Sequence, residues 1–199
     1  MTRMNVYWAA LVAFVGAIAM TVAAIAEPRW IVYSVTTPQG NTFEKRIGLA
    51  RYCSNLDGGF VCRPYPYKEL CQDRERAFCS LWRTVGFMAS FGVIFCLVDL
   101  VAFAIVMGGG KYRRATGWPI VSTMLTLVAI LQLVVISIVA WLYDHDDQFA
   151  IHGWRLGASW FLGTTSAVVH LLTAAGLAAS AYWLPQEEGY EFLEEARDT

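Results

Sequence analysis

Charge is scarce in this chain. Only 16% of its 199 residues are Asp, Glu, Lys or Arg, against 57% hydrophobic, and histidine occurs three times. The net charge of −1 gives no electrostatic reason to expect a nucleic-acid partner. Catalytic signatures are missing too. There is no Cys-x-x-Cys pair of the kind a membrane thiol oxidoreductase needs, no His-Glu-x-x-His and no Gly-x-Ser-x-Gly. Gly108–Gly110 reads as a turn rather than a phosphate loop. These absences argue against an enzyme, a cofactor and a small-molecule substrate. No Asn-x-Ser/Thr sequon occurs, so N-glycosylation is not expected. The polar run Asp144-His145-Asp146-Asp147, with His152, lacks a recognised ligand spacing, and no metal site is expected there.

What is present comes in apolar blocks long enough to cross a bilayer, for which about 20 residues suffice. The expected spans are residues 7–26, 81–107, 118–143 and 156–184. Between them lie a long polar loop (27–80), a basic turn (108–117) and a short polar loop (144–155), and an acidic tail (185–199) follows. This predicts an all-α membrane protein, a single four-helix bundle. Arg3 with Lys111, Arg113 and Arg114 places both termini and the basic turn in the cytosol by the positive-inside rule. The loop 27–80 then lies outside, in a protein most simply placed at the plasma membrane. Lys111, Arg113 and Arg114 are expected to meet anionic inner-leaflet lipids. The eight tryptophans fall near span ends: Trp8, Trp118 and Trp183 inside, Trp30, Trp82, Trp141, Trp154 and Trp160 outside, as an aromatic belt would. Ala24-Ile25-Ala26 also resembles a signal-peptidase site; cleavage there would leave three spans of the same sidedness.

Four of the five cysteines lie in the long loop, which implies an oxidising compartment; Cys96 lies within a span. Asp57-Gly58 is a strong hairpin signal, and its midpoint is equidistant from Cys53 and Cys62. Counting outward makes 53/62 a non-hydrogen-bonded pair, whose close side chains suit a disulfide. Trp30–Val35 is strand-prone. Phe43, Ile47, Leu49 and Cys53 fall on one face of a second strand, so a small antiparallel sheet resting on the membrane is expected in this loop. Residues 67–80 read as a short charged helix leading into the second span. On an unbroken helix Cys71 and Cys79 would be about 12 Å apart, so they pair only if it is interrupted.

The order Trp30, Gly48-Leu49, Cys53, eight residues, Cys62, in the first outer loop of a four-span chain, resembles the signature of the claudin and peripheral-myelin-protein tetraspan superfamily. The chain departs from that pattern at Ala50, where the family has a second tryptophan that beds the sheet into the bundle. The second cysteine pair and the Trp82-Arg83 junction look more like the divergent claudin-like tetraspans of fungi, such as the PalI-type group. The resemblance implies no catalysis. It implies lateral or trans contacts in membrane organisation, cell-surface adhesion or barrier formation, through self-association or another membrane protein. The alternative it leaves is an auxiliary subunit of a channel, receptor or membrane synthase.

Three ionisable or amide side chains lie at mid-membrane depth: Asp99, Gln132 and His170. Such groups are costly in a bilayer and need a partner or a role. Counting rise per residue brings Asp99 and His170 to similar depth, so a polar contact that fixes helix register is one expectation and a proton or cation path the other. The spans are otherwise nearly uninterrupted, which argues against an autonomous transporter. In the tail, Tyr190-Glu191-Phe192-Leu193 resembles a tyrosine-based sorting signal.

Overall fold

In the computed structural model, which describes residues 3–38, 42–55, 59–67, 69–72 and 76–183, four helices carry the chain and a small sheet caps one end of them. The helices are α1 (Arg3–Ala26), α2 (Arg76–Gly108), α3 (Gly110–His145) and α4 (Ala158–Trp183). Each contains a stretch long and apolar enough to cross a membrane. α4 packs on both α1 and α3, and α3 also packs on α2, whereas α1 and α2 touch little. An apolar crevice lined by Ala24, Met88, Gly92 and Val135 separates that last pair beneath Trp30.

The sheet has five antiparallel strands in the order β4-β3-β2-β1-β5: β1 (Ile31–Thr36), β2 (Thr42–Ile47), β3 (Arg51–Ser54), β4 (Val61–Pro64) and β5 (Trp154–Leu156). It differs from expectation in two ways. The stretch from Phe43 to Cys53 is two strands, because Gly48-Leu49-Ala50 folds back and Gly48 N donates to Arg51 O at 2.8 Å. The short loop 144–155 is also not independent of the sheet: Trp154 and Arg155 pair with Tyr33 and Val32 on the free edge of β1. Both polar loops therefore build one sheet.

Helix boundaries shift as well. The segment expected to be helical from residue 67 stays in turns through the described residues 69–72, and α2 begins only at Arg76. At the opposite end of the bundle the expected 108–117 turn shrinks to Gly109. Gly110, at φ 79°, takes a left-handed conformation that other residues rarely adopt, and α3 starts there. Lys111, Arg113 and Arg114 thus belong to the first turns of a helix; Arg113 is exposed, and the side chains of the other two lie outside the described residues.

Candidate functional site

The sheet is anchored by two tryptophans, one at the exit of α1 and one on α2, that share a buried cluster. Trp30 follows the exit of α1 and is 2% exposed. Its indole Nε1 donates to Ala24 O at 2.7 Å, which satisfies the one polar atom of a ring sunk among helices. Its backbone N–H donates to Ile47 O at 2.9 Å, and its carbonyl accepts from Gly157 N at 2.8 Å, tying β2 and the entry to α4 to the same residue. On α4, Gly163 faces the indole, where an added Cβ would make an ordinary contact at 3.5 Å.

Trp82, in α2, is fully buried and donates from Nε1 to Gly48 O at 3.3 Å. It stacks on Phe78 with ring centroids 5.5 Å apart and meets Tyr65 edge-on at 5.6 Å. Gly48 is where this tight seat needs glycine, since a Cβ would lie 2.6 Å from Pro28 Cα. Ala50, where the tetraspan signature has its second tryptophan, is exposed. The indole that supports the hairpin turn thus arrives from α2 instead. Trp30 and Trp82 belong to the protein core, whereas Trp8, Trp141 and Trp183 are exposed near helix ends. Nothing in the spacing of the loop pointed to Trp82; the aromatic cluster Phe78, Trp82 at one helical turn was the available signal.

Both loop disulfides form. Cys53 and Cys62 face each other across β3 and β4 with Cα atoms 4.1 Å apart, the close approach of a non-hydrogen-bonded pair. Cys71 and Cys79 pair with Cα atoms 5.6 Å apart because the helix is interrupted between them. Cys96 is a buried free thiol.

Away from the bundle the sheet carries ionic and aromatic side chains. Glu44 accepts two hydrogen bonds from Arg46, at 2.8 and 2.9 Å. The hydrogen-bonded Arg46 guanidinium, aided by the charges of Arg29 and Arg155, holds the Glu44 carboxyl below the usual range although burial opposes this. Arg46 also lies over the Phe60 ring at 4.5 Å. Lys45 sits near Tyr52 and Trp154, 5.6 and 5.9 Å from the ring centroids, and burial lowers its pKa. At the sheet edge all four residues of β4 are exposed, next to exposed Phe60.

Inside the bundle a polar cluster joins three helices. Gln132 Nε2 donates to Thr21 Oγ1 at 2.7 Å and to Ser166 Oγ at 3.3 Å; its Oε1 lies 3.1 Å from His170 Nδ1. An amide oxygen only accepts, so Nδ1 carries the hydrogen and the free lone pair on Nε2 faces the Cys96 thiol at 4.0 Å. Ser166 and Thr21 also reach Ala17 O, at 2.8 and 2.9 Å. The expected Asp99–His170 contact is not formed. Asp99 is fully buried, yet neither carboxyl oxygen has a hydrogen-bond partner among the described residues. The face was right but the depth was off by about one turn: Cys96, three residues before Asp99 on nearly the same face of α2, is the residue that His170 meets.

Among the described residues no group of three His, Cys, Asp or Glu is placed to hold a metal ion. Tyr190 and Leu193 lie outside the described residues. No protein-family model matches the chain, and no curated protein matches it.

Proposed function

We propose that this chain is a claudin-like integral membrane protein that works through contacts of its sheet, laterally or between facing membranes, in membrane organisation, adhesion or barrier formation. The observation that carries this reading is the sheet itself. Two disulfides, Trp30 and Trp82 make it a rigid platform, and β4 is an edge strand without a second partner among the described residues, exposed beside Phe60. An open strand edge with apolar neighbours is a ready surface for another chain. In this reading Trp30, Gly48, Leu49, Cys53 and Cys62, the residues of the tetraspan signature, are the framework of the platform rather than its contact points. The sheet faces the cell exterior at the plasma membrane, and both termini are cytosolic.

The test is a pair of differently tagged copies, each with Val61→Cys, reconstituted together and oxidised. Homotypic contact gives a disulfide-linked dimer that Phe60→Glu suppresses. Stoichiometric co-purification with one large membrane protein, and no dimer, would favour the auxiliary-subunit reading instead.

A further inference from the structure

Four guanidinium groups gather on one face of the sheet, at the level where α1 ends and α4 begins. Arg46 on β2 and Arg155 on β5 both pair with Val32 of β1, from opposite sides, so all three share a face. Arg51 belongs to the same face, two residues from Cys53, which pairs with Arg46. Its Nη2 donates to the carbonyl of Ala26, the last residue of α1, at 2.9 Å. Arg29 follows three residues later, and its carbonyl accepts from Ser159 N in the first turn of α4 at 3.1 Å.

These four are not equivalent. Arg46 is engaged by Glu44 and Phe60. Among the described residues Arg29 has Glu27 as its ion-pair partner, at 3.6 Å and beyond hydrogen-bond distance, and its Nε is buried with no hydrogen-bond partner. Arg51 and Arg155 are exposed and make no ion pair among the described residues. Among the described residues, these four arginines against Glu27 and Glu44 leave an excess of positive charge.

Helix lengths set the depth of this cluster. α1 and α4, of 24 and 26 residues, span about 36–39 Å, enough for a bilayer core and little more. α2 and α3, of 33 and 36 residues, are longer by about 10 Å or more, and the opposite face of the sheet packs on Phe78 and Trp82 of α2 and on Phe149 in the turn that follows α3. The arginine face therefore overhangs the shorter helices at headgroup level.

We propose that Arg29, Arg51 and Arg155 bind the phosphates of phospholipid headgroups along the sheet face that overhangs the α1–α4 corner. The surplus positive charge attracts phosphate and favours lipids of net negative charge.

The test uses the full chain in nanodiscs of phosphatidylcholine with a minority of phosphatidylglycerol, counting lipid retained after detergent extraction by native mass spectrometry. Wild type retains phosphatidylglycerol in preference to phosphatidylcholine. Arg155→Gln, an exposed change that breaks no hydrogen bond, lowers that preference by about fivefold; the triple Gln variant lowers it further. The triple Lys variant keeps most of it, and Arg63→Gln on the opposite face leaves it unchanged. Three results would overturn the proposal: wild-type retention in Arg155→Gln and the triple Gln variant; equal loss in Arg63→Gln; or equal loss in the triple Lys variant with both disulfides intact. Displacement of the lipid by glycerol phosphate at the same concentration would also overturn it, because the site would then be one for free phosphate.

Discussion

Two residues show how differently a side chain can be constrained here. Gly48 needs its missing side chain because Pro28 Cα fills the space where a Cβ would go. Gly48→Ala should lower stability by about 1–3 kcal/mol, whereas Gly59→Ala, with nothing within 4 Å, should be neutral. Thermal unfolding of both variants in detergent decides this, and equal midpoints would show that the turn can give way. Asp99 is the converse case, a side chain without the partner its burial calls for. Replacing an unpaired buried polar group by an apolar one of similar size removes a desolvation penalty, so Asp99→Val should raise stability by about 1 kcal/mol. A clear loss of stability would mean that the carboxyl is paired in the working protein. Sequence placed Asp99, Gln132 and His170 at one depth, and two of the three do join a cluster. It could not supply Thr21 and Ser166, because lone hydroxyl residues in an apolar helix usually bond their own backbone and carry no pattern.

At the scale of elements, β2 carries the shortest ion pair of the sheet among the described residues, Glu44–Arg46. Glu44 is depressed chiefly by the hydrogen bond from Arg46, so its contribution is present above the unfolded value of about 4.3 and is lost as pH falls through the folded one. Glu44→Gln should therefore cost somewhat less than about 1 kcal/mol at pH 6, and the difference from wild type should fade on acidification below about pH 4. A difference that stays constant from pH 6 to pH 3 would rule out the carboxylate as its origin. The same sheet illustrates what was legible. Alternation in the loop gave strands, and Asp57-Gly58 gave the Cys53–Cys62 register, since both signals are local. The fold-back at Gly48 was hidden because Phe43, Ile47 and Leu49 continue the alternation through it. β5 was hidden because three residues, Trp154-Arg155-Leu156, form a strand only once β1 offers them an edge.

For the molecule as a whole, the apolar blocks made four long apolar helices legible, but not the fact that sheet and bundle share one core. Ile31, Ile47 and Leu49 from the sheet lie in the same buried cluster as Val85 of α2 and Val135, Val139 and Leu142 of α3. Trp30 stands at the centre of this continuity, bonded to α1 through Ala24, to β2 through Ile47 and to the start of α4 through Gly157. A sheet held only by its disulfides would survive the loss of that indole, because neither disulfide connects it to a helix other than α2. A sheet that shares its core with the bundle would not. Trp30→Ala should therefore cost about 3–5 kcal/mol, and the cost should be spread. Hydrogen exchange in nanodiscs should accelerate together in peptides from β1, from β5 and from the first turns of α4. Acceleration confined to the sheet would mean that the platform is an independent module, and contacts made at its β4 edge would then have no mechanical path into the membrane.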